Sequence, residues 1–326
     1  MVKVGVVGLG NMGQHHARVY SQLDCRLVGV VDADADKART VGEHYGVPYY
    51  SDHHELVSQV DAVSIAVPTS LHRKVATDFL SKGVHCLVEK PIASTLEDAR
   101  VMREVAEEGH AKLAVGHIER FNPAVTRLKE IIEQGVLGEI MIISIRRVGP
   151  FARRIRDVGI IVDSASHDID VARFLLHKEP VTMFARSGRL VHETQEDHAV
   201  IVLDFGSAMA SIEVNWFTPH KTRTLVVTGS MGIAYLDYIE QSLTIHNWGR
   251  ESEIPIQKAE PLKLELEHFL RCAETGEQPL VDGYEGICVL ELCLGAASQP
   301  KLQMIIDGDR ARAQVIAQQE VVNVSR

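Results

Sequence analysis

The chain has 326 residues, 45% of them hydrophobic and 24% charged, with a formal net charge of −10. That length exceeds what one core usually serves and, at roughly 150 residues per domain, predicts two domains. The negative balance argues against a nucleic-acid groove or an anionic membrane as the main partner, and no apolar run reaches the ~18 residues that span a bilayer.

In chain order, apolar runs at Val2–Val7, Leu27–Val31, Ala62–Val67, Val84–Val88 and Leu113–Gly116 read as strands. Helical patterns fall between them, at Met12–Leu23, Ala35–Tyr45, Leu71–Lys82 and Thr95–Glu108. Such alternation predicts a parallel, doubly wound sheet covered on both faces. Ser94, with Glu97 three residues on, predicts a capping box for the fourth helix. Pro68, Pro91 and Pro123 punctuate strand-to-helix junctions.

From Gly138 the pattern changes. Strands are expected at Ile140–Val148, Val181–Arg189, His198–Phe205, Ala208–Trp216, Arg223–Thr228 and Ile233–Asp237. Phe205-Gly206-Ser207 and Gly229-Ser230-Met231-Gly232 are hairpin signals. Helices are expected at Ser164–Leu176, Leu262–Thr275 and Gly283–Ala297, and the tail after Pro300 holds one short apolar run, Met304–Ile306. The expectation is therefore α/β: a Rossmann domain over 1–121, then over 122–326 an α+β domain with a large, mostly antiparallel sheet. Cys25, Cys86, Cys272, Cys288 and Cys293 have neither a paired framework nor zinc spacing, and the N-terminus enters a strand at once. Both features predict a cytoplasmic protein without a metal centre.

Gly8-Leu9-Gly10-Asn11-Met12-Gly13 follows the first strand and opens a helix, and the second strand ends in Asp32. In that context a GxGxxG run reads as a dinucleotide site, the alternative being a glycine-rich turn that only packs a helix on a sheet. Gly8 permits the tight turn, Gly10 lets backbone approach a pyrophosphate, and Gly13 lets the helix pack close. The N–H groups around Asn11 and Met12 face the phosphates. Asp32 accepts from the adenosine ribose hydroxyls, and Ala33-Asp34-Ala35-Asp36 brings no arginine for a 2′-phosphate, which favours NAD. Pro68, Thr69 and His72 follow the strand at which the sheet order should reverse. They are candidates to touch the ribose or nicotinamide; the alternative is a proline-initiated helix capped by Ser70.

Oxidising an alcohol needs a base or relay at the hydroxyl, close to the nicotinamide. Lys90, in Glu89-Lys90-Pro91 at a strand exit, is one candidate, with Glu89 orienting it or contacting the cofactor. Asp163, His167 and Asp170 form the second group, spaced to share one helix face. Which of Lys90 and His167 is the base stays open, because coupled groups share a titration.

These motifs together resemble the oxidoreductase family of glucose–fructose oxidoreductase, inositol dehydrogenase and the rhizopine catabolism protein. The residues that carry the resemblance are Gly8–Gly13, Pro68-Thr69-Ser70-Leu71-His72, Glu89-Lys90-Pro91 and Asp163-Ser164-Ala165-Ser166-His167-Asp168-Ile169-Asp170. Ala165 stands where that family usually has glycine. The resemblance implies acid/base work on a sugar hydroxyl shared by Lys90 and His167, with Asp163 nearby. It also implies that the mostly antiparallel C-terminal sheet is open and pairs with its mate in homodimers or homotetramers.

A narrower likeness is carried by Gly116-His117-Ile118-Glu119-Arg120-Phe121-Asn122-Pro123-Ala124-Val125, and by Arg146-Arg147-Val148-Gly149-Pro150 with Asp157-Val158-Gly159. It resembles the branch that oxidises C3 of UDP-N-acetylhexosamines to 3-keto sugars, which an aminotransferase then converts. Arg146, Arg147, Arg153, Arg154 and Arg156 suit a diphosphate; a solvated or intersubunit salt-bridged loop is the alternative. His117, Arg120 and Asn122 follow a strand end facing the same cleft, so substrate contact is expected of them, although Arg120 could equally brace the domain junction. The expected substrate is a nucleotide sugar, UDP-N-acetylglucosamine. The uronate, a free sugar or inositol is the close alternative, and a non-catalytic NAD-binding sensor or subunit the distant one.

Overall fold

The computed structural model describes residues 1–150 and 158–299. They form two compact units: Met1–Phe121 with Ala259–Glu291, and Asn122–Lys258 with 292–299.

The first unit is built on six strands: β1 (Lys3–Val7), β2 (Arg26–Val31), β3 (Tyr49–Tyr50), β4 (Ala62–Ile65), β5 (His85–Glu89) and β6 (Leu113–Gly116). Their order is β3-β2-β1-β4-β5-β6, with every pairing parallel. Helices α1 (Asn11–Tyr20), α2 (Ala35–Tyr45), α3 (His54–Val57), α4 (His72–Leu80) and α5 (Leu96–Glu108) connect them. All four residues of β4 are buried, as the central strand of a sheet covered on both faces requires. The order reverses between β1 and β4, so the loops that leave them diverge and open a crevice at the carboxyl edge.

Local chemistry sets the helix ends. Asp34 accepts the N–H groups of Asp36 and Lys37 to start α2, and Gly46, at φ 65°, ends it. For α5 the cap is one residue later than expected: Thr95, not Ser94, accepts the Asp98 N–H at 3.1 Å, and its hydroxyl meets the Asp98 carboxylate at 2.9 Å. The pair that closes the first turn is thus Thr95 with Asp98.

The second unit starts with α6 (Pro123–Glu133), capped by Asn122, and contains α7 (Ser166–Leu176). Its eight strands are β7 (Ile140–Pro150), β8 (Thr182–Gly188), β9 (His198–Asp204), β10 (Met209–Asn215), β11 (Phe217–Gly229), β12 (Gly232–Asp237), β13 (Ser242–Asn247) and β14 (Arg250–Glu253). They lie in the order β14-β13-β12-β11-β7-β10-β9-β8, antiparallel except where β7 meets β10. Along β7, Ile143, Ile145 and Arg147 are buried, while Ile142, Ser144 and Arg146 face outward. The register lines up Phe184, Val202, Ser211, Ser144, Val226 and Tyr235 in one row across that open face.

Two last helices follow, α8 (Pro261–Thr275) and α9 (Gly283–Ser298). The sequence assigns everything after residue 121 to the second domain, but 259–291 return to the first unit. The reason is packing: α8 puts Leu262, Leu266, Phe269 and Leu270 into one core cluster with Val2, Val4, Ala17 and Tyr20. Each such side chain contributes roughly 1.5–3 kcal/mol of burial, more than any linker preference opposes. Among the described residues no helix is long and apolar enough to cross a membrane.

Candidate functional site

At the carboxyl edge of the first sheet, the glycine turn has the geometry its spacing implies. Gly8 sits at φ +88°, and a Cβ there would stand 2.6 Å from the Ala66–Val67 backbone. A Cβ on Gly13 would lie 1.7 Å from the Gly8 carbonyl oxygen, so only glycine lets α1 start this close to β1. Gly10 is different. Nothing lies within 4 Å of its absent Cβ, and no side chain caps the helix. The first N–H groups of α1 therefore face an open cradle that a Cβ would partly fill, which fits a pyrophosphate.

Asp32, at the end of β2, ties this turn in place. Its carboxylate accepts the Leu9 N–H at 2.7 Å and the Asp34 N–H at 2.9 Å. Each oxygen keeps acceptor capacity for a ribose hydroxyl. Lys37, which the sequence reading passed over, brings its Nζ 3.7 Å from Asp32 and 3.9 Å from Asp34. One cation between two carboxylates leaves this strand end net negative, which suits ribose hydroxyls better than a 2′-phosphate.

Glu89 ends β5 buried, and Lys90 follows half-buried, joined to Pro91 by a cis peptide bond. Glu89 accepts the Lys90 N–H at 3.2 Å through Oε2, and its Oε1 is 3.0 Å from Nε2 of His16 on α1. Burial pushes the Glu89 carboxyl up, but the His16 hydrogen bond and the charges of His16, Lys90 and His72 outweigh it, so its pKa lies below the ordinary value. His16 is a residue the sequence reading missed. Its signal was the inward face of α1, where Gly13, His16, Ala17 and Tyr20 recur at helical spacing.

His72 has another role than the one expected. Its Nε2 is 3.0 Å from the Val67 carbonyl, and its Nδ1 lies 3.0 Å and 3.2 Å from the Pro91 and Ile92 carbonyls. Buried at 1% exposure, it ties the exit of β4 to the turn after β5. Burial holds its pKa below the usual value, against the opposing pull of the three carbonyls and Glu89. Pro68 stands exposed, and Thr69 opens a short 3₁₀ turn at the same crevice.

Arg120 is 5% exposed, paired with Glu285 and donating to the Leu280 carbonyl at 3.2 Å, all within the first unit. That is bracing. His117 is buried beside it at the exit of β6.

In the second unit Asp163 lies in a π-turn, Ile161–Ala165, and His167 follows in the first turn of α7, both half-buried. Ser164 donates to the Asp163 carboxylate at 3.0 Å. Wide turns of this kind recur where a helix must present a functional side chain. Asp170, taken as a flank of His167, is fully buried. Arg147 departs from the expected diphosphate role. Its guanidinium grips Asp168, with Nε 3.0 Å from both oxygens and Nη2 at 2.8 Å, and lies 5.2 Å over the Tyr238 ring. Asn122 caps α6 and donates to the Tyr238 carbonyl at 3.1 Å. A buried charge met by a bidentate partner is structural first. Arg154, with Arg153, Arg156 and Asp157, lies outside the described residues.

Among the described residues, Asp52, His53 and His54 form a group within metal-ligand range. His54 pairs with Asp52 at 2.6 Å at the surface, and half-buried His53 with Asp78 at 2.8 Å.

Comparison with known proteins places this geometry among relatives. A profile described as "Oxidoreductase family, NAD-binding Rossmann fold" matches residues 2–117, and one described as "GFO/IDH/MocA C-terminal domain" matches 125–235. The UDP-N-acetylglucosamine 3-dehydrogenase of Acidithiobacillus ferrooxidans is 29% identical over 90% of this chain and 95% of its own. A solved structure of that enzyme superposes with a TM-score of 0.85, at 30% identity, over 90% of this chain and 96% of the other. The scyllo-inositol 2-dehydrogenase (NAD(+)) of Bacillus subtilis is 30% identical over 96% of this chain and 98% of its own.

Proposed function

The chain belongs to the GFO/IDH/MocA family of NAD-dependent oxidoreductases acting on CH–OH groups, and on that premise we propose that it oxidises C3 of a nucleotide-activated N-acetylhexosamine, UDP-N-acetylglucosamine. The observation that carries the substrate is the likeness, over nearly the full length of both chains, to the UDP-N-acetylglucosamine 3-dehydrogenase of A. ferrooxidans. The inositol relatives, equally similar in sequence, make a polyol the second reading.

Bound NAD supplies the acceptor for the hydrogen and electron pair that leave C3. The chain's own groups do the rest. Gly10, Asn11 and Met12 present α1 backbone N–H groups to the pyrophosphate, and Gly8 and Gly13 shape the turn. Asp32 accepts from the adenosine ribose, while Pro68 and Thr69 wall the crevice. Lys90 and His167 take the hydroxyl proton between them, and Asp163 orients His167. The product is a 3-keto sugar, suited to later transamination. His117 stands at the exit of β6, where substrate contact is expected of it.

The open sheet face, with Phe184 at 53% and Tyr235 at 45% exposure, supports a homodimer or homotetramer formed through it. The direct test is NADH formation at 340 nm with UDP-N-acetylglucosamine, coupled to a 3-aminotransferase with glutamate because the oxidation is uphill. Signal with the UDP-sugar and none with free sugars or inositol is expected. Signal only with a polyol would overturn the substrate and keep the chemistry.

A further inference from the structure

We propose that His16 is a positioning residue for the Lys90 turn, acting through Glu89. This rests on the reading of Lys90 as an acid/base group given above. His16 is fully buried on the face of α1 that otherwise carries Gly13, Ala17 and Tyr20. An imidazole there loses its hydration and needs compensation. Its Nδ1 has no hydrogen-bond partner among the described residues, so the Nε2 contact to Glu89, at 3.0 Å, is the polar tie the position offers. An ionised carboxylate accepts only, so Nε2–H is the donor.

Glu89 passes the contact on. Oε1 takes the His16 proton donor, and Oε2 accepts the N–H of Lys90. The same helix that presents its N-terminus to the cofactor crevice thus fixes the side chain that holds the Lys90 backbone. The charged or titratable groups around Glu89 are His16 from α1, His72 from α4 and Lys90 from its own turn. From β6 comes Gly116, where a Cβ would stand 3.2 Å from the carboxyl group, so the strand packs closely against Glu89. Without His16, burial would favour the neutral acid, and Glu89 would lose both its anchor and its charge beside the lysine.

The tests are His16→Leu, which removes the donor, and His16→Gln, whose amide can restore it. In His16→Leu, NAD affinity should stay within about threefold while kcat falls about 10–100-fold with little change in KM, the pattern of a misplaced group and not of lost binding. The acid limb of the kcat profile should move to higher pH, because Glu89 then takes its proton earlier. His16→Gln should recover most of kcat. Losses shared equally by Leu and Gln, in melting temperature and NAD affinity and with the acid limb unmoved, would mark a merely structural residue and overturn the proposal. Should His16→Leu not fold, Glu89→Gln asks the same question, and a wild-type acid limb there is equally fatal. The pH titration of 13C-carboxyl-labelled Glu89 in NAD-bound protein needs no substrate. An unshifted midpoint in His16→Leu overturns the positioning role, whereas silence of the wild-type enzyme on every sugar overturns only the assigned oxidation.

Discussion

Arg147 and Asp168, 21 residues apart, meet as a buried bidentate pair: Nε is 3.0 Å from both carboxylate oxygens, and the two side chains are 6% and 0% exposed. Removing one partner strands the other charge out of water. Asp168→Asn should therefore cost about 3–5 kcal/mol in urea unfolding. Arg147→Met with Asp168→Leu, of similar volume, should recover most of it. A diphosphate-binding arginine would behave otherwise, since its loss would raise KM for a nucleotide sugar, were that the substrate, and leave stability alone.

Gly10 and Gly13 separate binding from folding. Gly13→Ala puts a Cβ 1.7 Å from a backbone oxygen and should yield little folded protein. Gly10→Ala meets nothing within 4 Å and should melt like wild type, yet bind NAD about tenfold or more weakly, because the methyl group fills the phosphate approach. Calorimetric titration with NAD distinguishes the two.

Lys90→Met should keep NAD affinity within a few-fold and lower turnover by about 10²–10⁴, the usual contribution of a positioned acid or base. Steady-state kinetics on whichever sugar the wild type accepts give the ratio. Undiminished turnover would remove Lys90 from the mechanism.

Asp197 yields a pH prediction with a definite sign. Its buried carboxylate accepts from the N–H groups of Leu190, Val191 and His192 and from His198 Nδ1 at 2.9 Å. Burial raises its pKa, but these hydrogen bonds outweigh that and hold it below the ordinary value. A depressed folded pKa stabilises above the unfolded value near 3.9 and is lost as pH falls through the folded one. Asp197→Asn should cost about 1–3 kcal/mol at pH 7, and the gap to wild type should close below about pH 4. Chemical denaturation across that range checks it.

The parts legible in the sequence are those set by neighbours along the chain. The glycine turn, the Asp32 strand end and the alternation of strands and helices are local patterns, and the Rossmann-fold profile over residues 2–117 agrees with that alternation. β13 escaped although Leu243 and Ile245 alternate with polar residues; the other missed strands have little local signal. β3 is two residues long, and all four residues of β14 are exposed, so neither has an apolar period to find. α6 was signalled only by the Asn122-Pro123 cap. Side-chain roles depend on distant partners: His72 finds carbonyls 19 and 20 residues on, and Glu285 meets Arg120 across 165. An arginine that binds phosphate and one that braces a core look alike until those partners are known.

Strand β7 is synthesised early but lies in the middle of its sheet, flanked by β10 and β11, which leave the ribosome roughly 3–16 s after it at ~5–20 residues per second. Throughout that interval both of its edges are unpaired, and Ile140–Ile145 is a stretch that could pair with another nascent chain. Polar and charged residues interrupt the apolar run at Ser144, Arg146 and Arg147, and the first helix of the unit, α6, is already complete beside it in the chain. Soluble yield during expression should therefore respond more to substitutions that make the 140–147 segment apolar than to equal changes in the late strands β12 to β14.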